Sequence, residues 1–183
     1  MWILIAIVAV LAIWLVSIYN SLVRLRTKID NSWSDIRVFL KKRFDLIPNL
    51  VNTVKGYAEH EKSTFEEITA ARAAVGKVAP DDLKGLAEAN QQLTGALSRL
   101  FAVAENYPDL KASANFIELQ NALREIETDL GNARRYYNAT VRDYNIAIQQ
   151  FPAVLIAGSM GFSKREFYEL ENPAEEQNVE VKF

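Results

Sequence analysis

The chain has 183 residues, a formal net charge of −2, one histidine and no cysteine. This composition excludes disulfides, thiolate metal sites and cysteine nucleophiles, and one histidine cannot build a histidine-rich metal site within one chain. A charge near zero does not favour nucleic acid as a partner, because phosphate binding needs a surplus of Lys and Arg. Only 7 glycines and 5 prolines interrupt many helix-forming residues, so the composition predicts an all-α protein.

The N-terminal segment is uncharged from Trp2 to Ile18. At about 1.5 Å per residue, a helix that also includes Tyr19 is roughly 27 Å long, close to the hydrocarbon thickness of a bilayer. Trp2 lies at one end and Trp14 and Tyr19 toward the other, as in interfacial aromatic belts. We predict a transmembrane helix over residues 1–19. A cleaved signal peptide would need a basic start and a small-residue cleavage site, and a buried core helix is the other alternative.

Basic residues cluster directly after the apolar segment, where only Asp30 and Asp35 oppose them. They are Arg24, Arg26, Lys28, Arg37, Lys41, Lys42 and Arg43. An excess of Lys and Arg beside a span marks the cytoplasmic face, so we predict a single-pass protein with its N-terminus outside and its folded part in the cytoplasm. Arg24, Arg26 and Lys28 are also candidate contacts for anionic lipid head groups, with a solvated helix face as the alternative.

Apolar residues recur at spacings of three and four along the rest of the chain. This period predicts helices over residues 20–75, 81–107 and 113–150, with a short fourth helix over 152–158. Pro48 predicts a kink in the first helix. Asn90 interrupts the coiled-coil-like seam of the second, where it would either set the helix register or lie at the edge near water. Together these helices predict an antiparallel bundle over residues 20–163, followed by an acidic extended tail over 164–183.

The first predicted helix is longer than the helices available to cover it. We therefore expect its membrane-proximal half to expose an apolar face, which usually marks a protein–protein contact, and self-association into a homo-oligomer is the simplest cover. Polar and tyrosine-rich runs on the first and third helices either join helices to one another or bind a partner. The candidate partner and self-association residues are Trp33, Ile36, Leu40, Arg43, Asp45, Asn49, Arg134, Arg135, Tyr137 and Asn138.

Motifs for catalysis or cofactor binding are missing from the sequence. His60-Glu61 begins like the zinc motif H-E-x-x-H, but Thr64 stands where the second histidine is needed. The glutamates lack the Glu-x-x-His pairs of di-metal helical bundles. The sequence has neither a glycine-rich phosphate loop nor a Gly-x-Ser-x-Gly nucleophile turn. We therefore predict a protein that is not an enzyme, with no catalytic residues, metal or cofactor.

The segment over residues 40–51, LKKRFDLIPNLV, resembles the bacterial LemA family, as do residues 104–111 and Phe151-Pro152. The resemblance runs from about residue 19 to 170 and departs at Arg37 and Phe39, where members usually have an acidic residue and a glutamine. It implies a helical bundle anchored in the bacterial inner (plasma) membrane, without catalytic activity. Members are often encoded near HtpX-like membrane proteases, which implies envelope protein quality control by association only.

The leading hypothesis is therefore a non-enzymatic membrane scaffold or adaptor. Its bundle would self-associate, engage a membrane partner such as a membrane protease, or do both. The alternative is a module on the membrane surface that binds anionic lipid.

Overall fold

The computed structural model describes residues 1–168, and within these it contains five α-helices, one short 3-10 helix and no β-strand. The helices are α1 (Trp2–Lys55), α2 (Lys62–Lys77), α3 (Leu83–Ala104), α4 (Pro108–Ala112) and α5 (Ala114–Ala147), followed by the 3-10 helix Ala153–Leu155. The all-α prediction is confirmed. Most of the predicted acidic tail over residues 164–183 lies outside the described residues.

The first helix ends earlier than its apolar period predicts. The predicted continuous helix over residues 20–75 is wrong, because α1 ends at Lys55 and α2 begins only at Lys62. Glycine costs about 1 kcal/mol relative to alanine inside a helix, and Gly56 immediately follows the last residue of α1. The backbone N–H groups of Tyr57 and Ala58 then both bond to the carbonyl of Val54, which closes the helix end. Pro48, the site of the predicted kink, lies inside α1.

The remaining helices begin and end near their predicted positions. Helix α3 is capped by Asp82, whose carboxylate accepts a hydrogen bond from the Gly85 N–H at 2.8 Å. The predictions omit α4, a short helix that begins at Pro108, where proline is well tolerated because the first helical N–H has no intrahelical partner. The short helix predicted over residues 152–158 is reduced to the 3-10 helix Ala153–Leu155.

The chain divides into two compact units. Unit 1 contains residues 1–43 and 124–167, and unit 2 contains residues 44–123 and Tyr168 among the described residues. The predicted single bundle over residues 20–163 therefore includes parts of both units.

In unit 1, α1 and α5 pack side by side in opposite directions. The Trp33 ring lies 5.8 Å from the Tyr137 ring, and the hydroxyl oxygens of Ser32 and Thr140 are 3.1 Å apart. Residues later in α5 thus meet residues earlier in α1. The shared apolar core includes Leu22, Ile29, Ile36, Leu40, Leu130, Val141 and Tyr144.

Unit 2 has its own core, formed by the end of α1, by α2, α3 and α4, and by the start of α5. Its buried members include Ile47, Leu50, Val54, Phe65, Ile68, Leu93, Leu97, Leu100, Leu110, Phe116 and Leu123. Asn90 is also buried, and its amide donates a hydrogen bond to the Leu86 carbonyl of its own helix at 2.8 Å. The alternative that placed Asn90 at a wet edge is therefore wrong.

Candidate functional site

The first part of α1 is an apolar helix exposed on all sides. Trp2 is 81% exposed, Ile13 71% and Trp14 46%, and none of its most apolar 18-residue window is buried. The alternative of a buried core helix is therefore wrong. Among the described residues, α1 is the one helix long and apolar enough to cross a membrane, and this indicates a single-pass membrane protein.

An aromatic and basic cluster lies where the apolar segment ends. The rings of Tyr19 and Phe162 meet edge to face, with centroids 5.6 Å apart, and the Arg26 guanidinium lies 5.4 Å from the Phe162 centroid. We call these three residues the juxtamembrane cluster. Of the other candidate lipid-facing residues, Arg24 and Lys28 are exposed, and the Lys28 ammonium lies 5.6 Å from the Tyr136 ring. Three cations therefore lie on α1 directly after the position where the helix would leave a bilayer.

A strap over residues 163–167 continues from the juxtamembrane cluster along unit 1. The Asn145 side chain accepts from the Arg165 backbone N–H and donates to the Arg165 carbonyl, each at 2.9 Å. The Arg165 guanidinium forms an ion pair with Asp30 at 2.8 Å, and the Tyr137 hydroxyl donates to the Glu166 carbonyl at 3.1 Å. Sequence reasoning missed Arg165 and the strap, because no local pattern indicates a bond between residues twenty positions apart.

The apolar face predicted to lack cover is buried within unit 1. Ile36 is 0% exposed and Leu40 7%, and Trp33 is half-buried against Tyr137. The premise of the self-association surface is therefore wrong for Ile36 and Leu40. The comparison of helix lengths gave the wrong result because α5 packs antiparallel to α1 within unit 1. It therefore covers the stretch of α1 that was expected to be open.

The polar members of the predicted surface differ in exposure. Arg43 is 1% exposed and pairs with Glu127 at 2.7 Å, as a buried guanidinium requires, so its contacts are internal. Tyr137 is buried as well. Arg134 and Asn138 are half-buried, whereas Asp45, Asn49 and Arg135 are exposed. The structure thus leaves these last three as the exposed members of the predicted set.

Two tyrosine hydroxyls of unit 1, those of Tyr137 and Tyr144, are held in their neutral form. Burial raises the pKa of Tyr137 and of Tyr144 above the ordinary value, and the nearby Arg165 guanidinium offsets part of this rise while Asp30 adds to it. Both groups are therefore protonated at neutral pH, so Tyr137 remains able to donate to the strap.

Within residues 1–168, no group of His, Asp and Glu side chains is arranged to hold a metal ion. His60 is exposed in the turn before α2. Two glutamates of the helices form ion pairs, Glu67 with Arg99 and Glu127 with Arg43, each at 2.7 Å. The surfaces described above therefore offer apolar, aromatic and cationic contacts.

Comparison with known proteins identifies the family over residues 32–183, described as the LemA family. The chain belongs to the LemA family. The match begins after the apolar segment, so membership does not depend on that segment. The family resemblance is confirmed.

Curated relatives of this LemA-family chain carry two kinds of name. The magnetosome protein MamQ 2 of Paramagnetospirillum magneticum (strain ATCC 700264 / AMB-1) is 27% identical over an alignment of 180 residues, and the match covers 85% of this chain and 66% of the relative. The magnetosome protein MamQ of Magnetospirillum gryphiswaldense is 26% identical with the same coverage. Protein LemA of Metamycoplasma hominis is 29% identical over 137 residues, which cover 72% of this chain and 60% of the relative. The chain thus spans 66% of the length of the two MamQ relatives and 60% of the length of the LemA relative.

Proposed function

We propose that this LemA-family protein is a non-enzymatic membrane scaffold or adaptor, anchored by α1. The observation that carries the proposal is the continuity of α1 from Trp2 to Lys55. The exposed apolar part of this helix suits lipid, and its later part is buried against α5 in unit 1. One helix therefore serves as both the anchor and the organising element of the folded unit.

The proposed location is the bacterial inner membrane, with the N-terminus outside and the two units in the cytoplasm. The support is the position of Arg24, Arg26 and Lys28 directly after the apolar segment, since such residues favour the cytoplasmic side. Because the chain has no cysteine, a single exposed Glu59→Cys variant tests this with a membrane-impermeant thiol reagent. Labelling only after the cells are permeabilised is expected, whereas labelling of intact spheroplasts would reverse the orientation.

The proposed partner is another membrane protein, with an HtpX-like protease as the first candidate, or a second copy of the chain. The exposed members of the predicted surface are candidates for such a contact, Asp45 and Asn49 on unit 2 and, separately, Arg135 on unit 1, whereas Ile36, Leu40 and Arg43 are buried. Tyrosine and arginine are frequent anchors in protein interfaces, but an arginine that is already buried in its own unit cannot act as one.

Photo-crosslinking in intact membranes tests the adaptor role. A photoreactive residue would replace Asn49 or Arg135, with exposed Glu88 on α3 as the matched control position. We expect crosslinks to a membrane protein from Asn49 or Arg135 and none from Glu88. Crosslinks between two copies support self-association, whereas the absence of any product from all positions, with the protein monomeric in detergent, argues against an adaptor.

The exposed cations Arg24 and Lys28 favour one second candidate, a module that binds anionic lipid. The full-length chain would be placed in nanodiscs with and without anionic lipid. A higher melting temperature in anionic nanodiscs, lost at high salt and in the Arg24→Gln/Lys28→Gln variant, supports this candidate. Equal melting temperatures in both lipids and at both salt concentrations would exclude it.

A further inference from the structure

Exposed apolar side chains gather in the turn that follows α5. Phe151 is 77% exposed, Leu155 71% and Val154 49%. The surrounding sequence carries no charge between Asp143 and Lys164. We call residues 151–162 the apolar turn. Large exposed apolar side chains so close together in the chain favour a contact surface, because leaving them in water is unfavourable.

The helix register in unit 1 places the apolar turn beside the end of the membrane-spanning segment. Since Tyr137 meets Trp33 and Thr140 meets Ser32, later residues of α5 lie next to earlier residues of α1. Because α5 continues past Thr140 to Ala147, its end lies closer to the apolar segment than Ser32 lies to that segment. Phe162, the last residue of the turn, then contacts the ring of Tyr19 itself.

Contacts at its base and within it fix the orientation of the apolar turn. Below it, Asn145 holds both backbone groups of Arg165. Inside it, Ala153 and Ala157 are buried, and the N–H groups of Ala157 and Phe162 bond to the carbonyls of Ala153 and Ala157 at 2.8 and 2.9 Å. Phe151 and Leu155 are therefore exposed on a turn whose backbone is held by its own hydrogen bonds.

We propose that the apolar turn enters the interface of the membrane that α1 crosses. Phe151, Val154 and Leu155 then lie between the lipid head groups and the acyl chains, and they give the protein a second lipid contact beside its span. A lipid occupant follows from continuity, because Phe162 joins the turn to Tyr19 at the end of the apolar helix. Arg26, which lies over the Phe162 ring, is at the level of the head groups.

This inference rests on α1 spanning a membrane, which is part of the proposed function. The test therefore uses the full-length chain in vesicles of phosphatidylcholine and phosphatidylglycerol, with a spin label on a single cysteine. Leu155→Cys reports the turn, Leu11→Cys the span, and Glu125→Cys an exposed position on α5. Collision rates with oxygen, which enters lipid, and with a water-soluble nickel chelate give the depth of each label.

We expect the ratio of oxygen to nickel collisions at position 155 to exceed that at position 125 severalfold and to approach that at position 11. A ratio at 155 equal to that at 125, with 11 in lipid, would overturn the turn's lipid contact and leave the span intact. Water exposure at position 11 would overturn both. Spin–spin broadening at position 155 that disappears on dilution with unlabelled chain would show that a second copy covers the turn, and would overturn the lipid assignment.

Discussion

Replacing Asn145 with alanine is expected to release the strap over residues 163–167. The variant removes two hydrogen bonds, both at 2.9 Å, one to the N–H and one to the carbonyl of Arg165. A neutral hydrogen bond contributes about 1 kcal/mol net, so their loss destabilises the closed strap by about 2 kcal/mol. Since about 1.4 kcal/mol corresponds to a tenfold change in an equilibrium constant, the open population rises roughly 30-fold.

Hydrogen exchange of the Arg165 amide reports this release, because that N–H is bonded to Asn145 in the closed strap and loses this acceptor in the variant. The matched control is Arg165→Gln, which removes the ion pair with Asp30 and leaves both backbone bonds in place. That pair is exposed, with side chains 43% and 59% accessible, so its loss is worth under about 1 kcal/mol and accelerates exchange only a few-fold. Exchange that responds more to Arg165→Gln than to Asn145→Ala would refute this account.

Three further predictions concern stability in detergent or nanodiscs. Leu100→Ala should lower the free energy of unfolding in denaturant by about 2–5 kcal/mol, because the Leu100 side chain is 0% exposed. Leu155→Ala in detergent should change it by under about 0.5 kcal/mol, because Leu155 is exposed. Equal effects of the two variants would contradict the burial of Leu100. The pKa of Tyr137 is higher in the folded state than in the unfolded state, where it is about 10, so its contribution to stability is present below about pH 10 and is lost as the pH rises above about 10. The melting temperature should therefore fall as the pH rises above about 10, and it should fall less steeply in Tyr137→Phe. Ser32→Ala and Thr140→Val should show a coupling energy of at most about 1 kcal/mol in a double-mutant cycle. Each hydroxyl has one proton, and a hydroxyl that donates it to a carbonyl of its own helix cannot donate it to the other hydroxyl.

The sequence predicts those features that depend on local chemistry. The length of the uncharged segment from Trp2 to Ile18 favours a membrane-spanning helix over a buried one, and the 3.6-residue period locates α3 and α5 within a few residues. The end of α1 at Lys55 was missed because Gly56 is a weak signal. A glycine changes helix stability by about 1 kcal/mol, which the apolar period on either side of it outweighed in the prediction.

The contacts that build the candidate site depend on how distant segments align. Ile36 and Leu40 were expected to be open because the alignment of α5 against α1 could not be known from either helix alone. The strap was missed for the same reason, since nothing near Asn145 indicates that its amide binds the backbone of Arg165. Leu155 belongs to the short helix predicted over residues 152–158, and Phe151 lies between that helix and the one predicted over residues 113–150. Their exposure follows only once the short helix is replaced by turns.

The continuity of α1 couples unit 1 mechanically to the thickness of the bilayer. Between Tyr19 and Arg43 the helix contains neither glycine nor proline, so no residue there is suited to act as a hinge. A helix whose apolar length differs from the hydrocarbon thickness tilts or shifts along the membrane normal. In this protein such an adjustment moves Leu22 and Ile29 with the span, and both are buried in the core of unit 1. A thinner or thicker membrane is therefore expected to tilt or shift unit 1 together with the span.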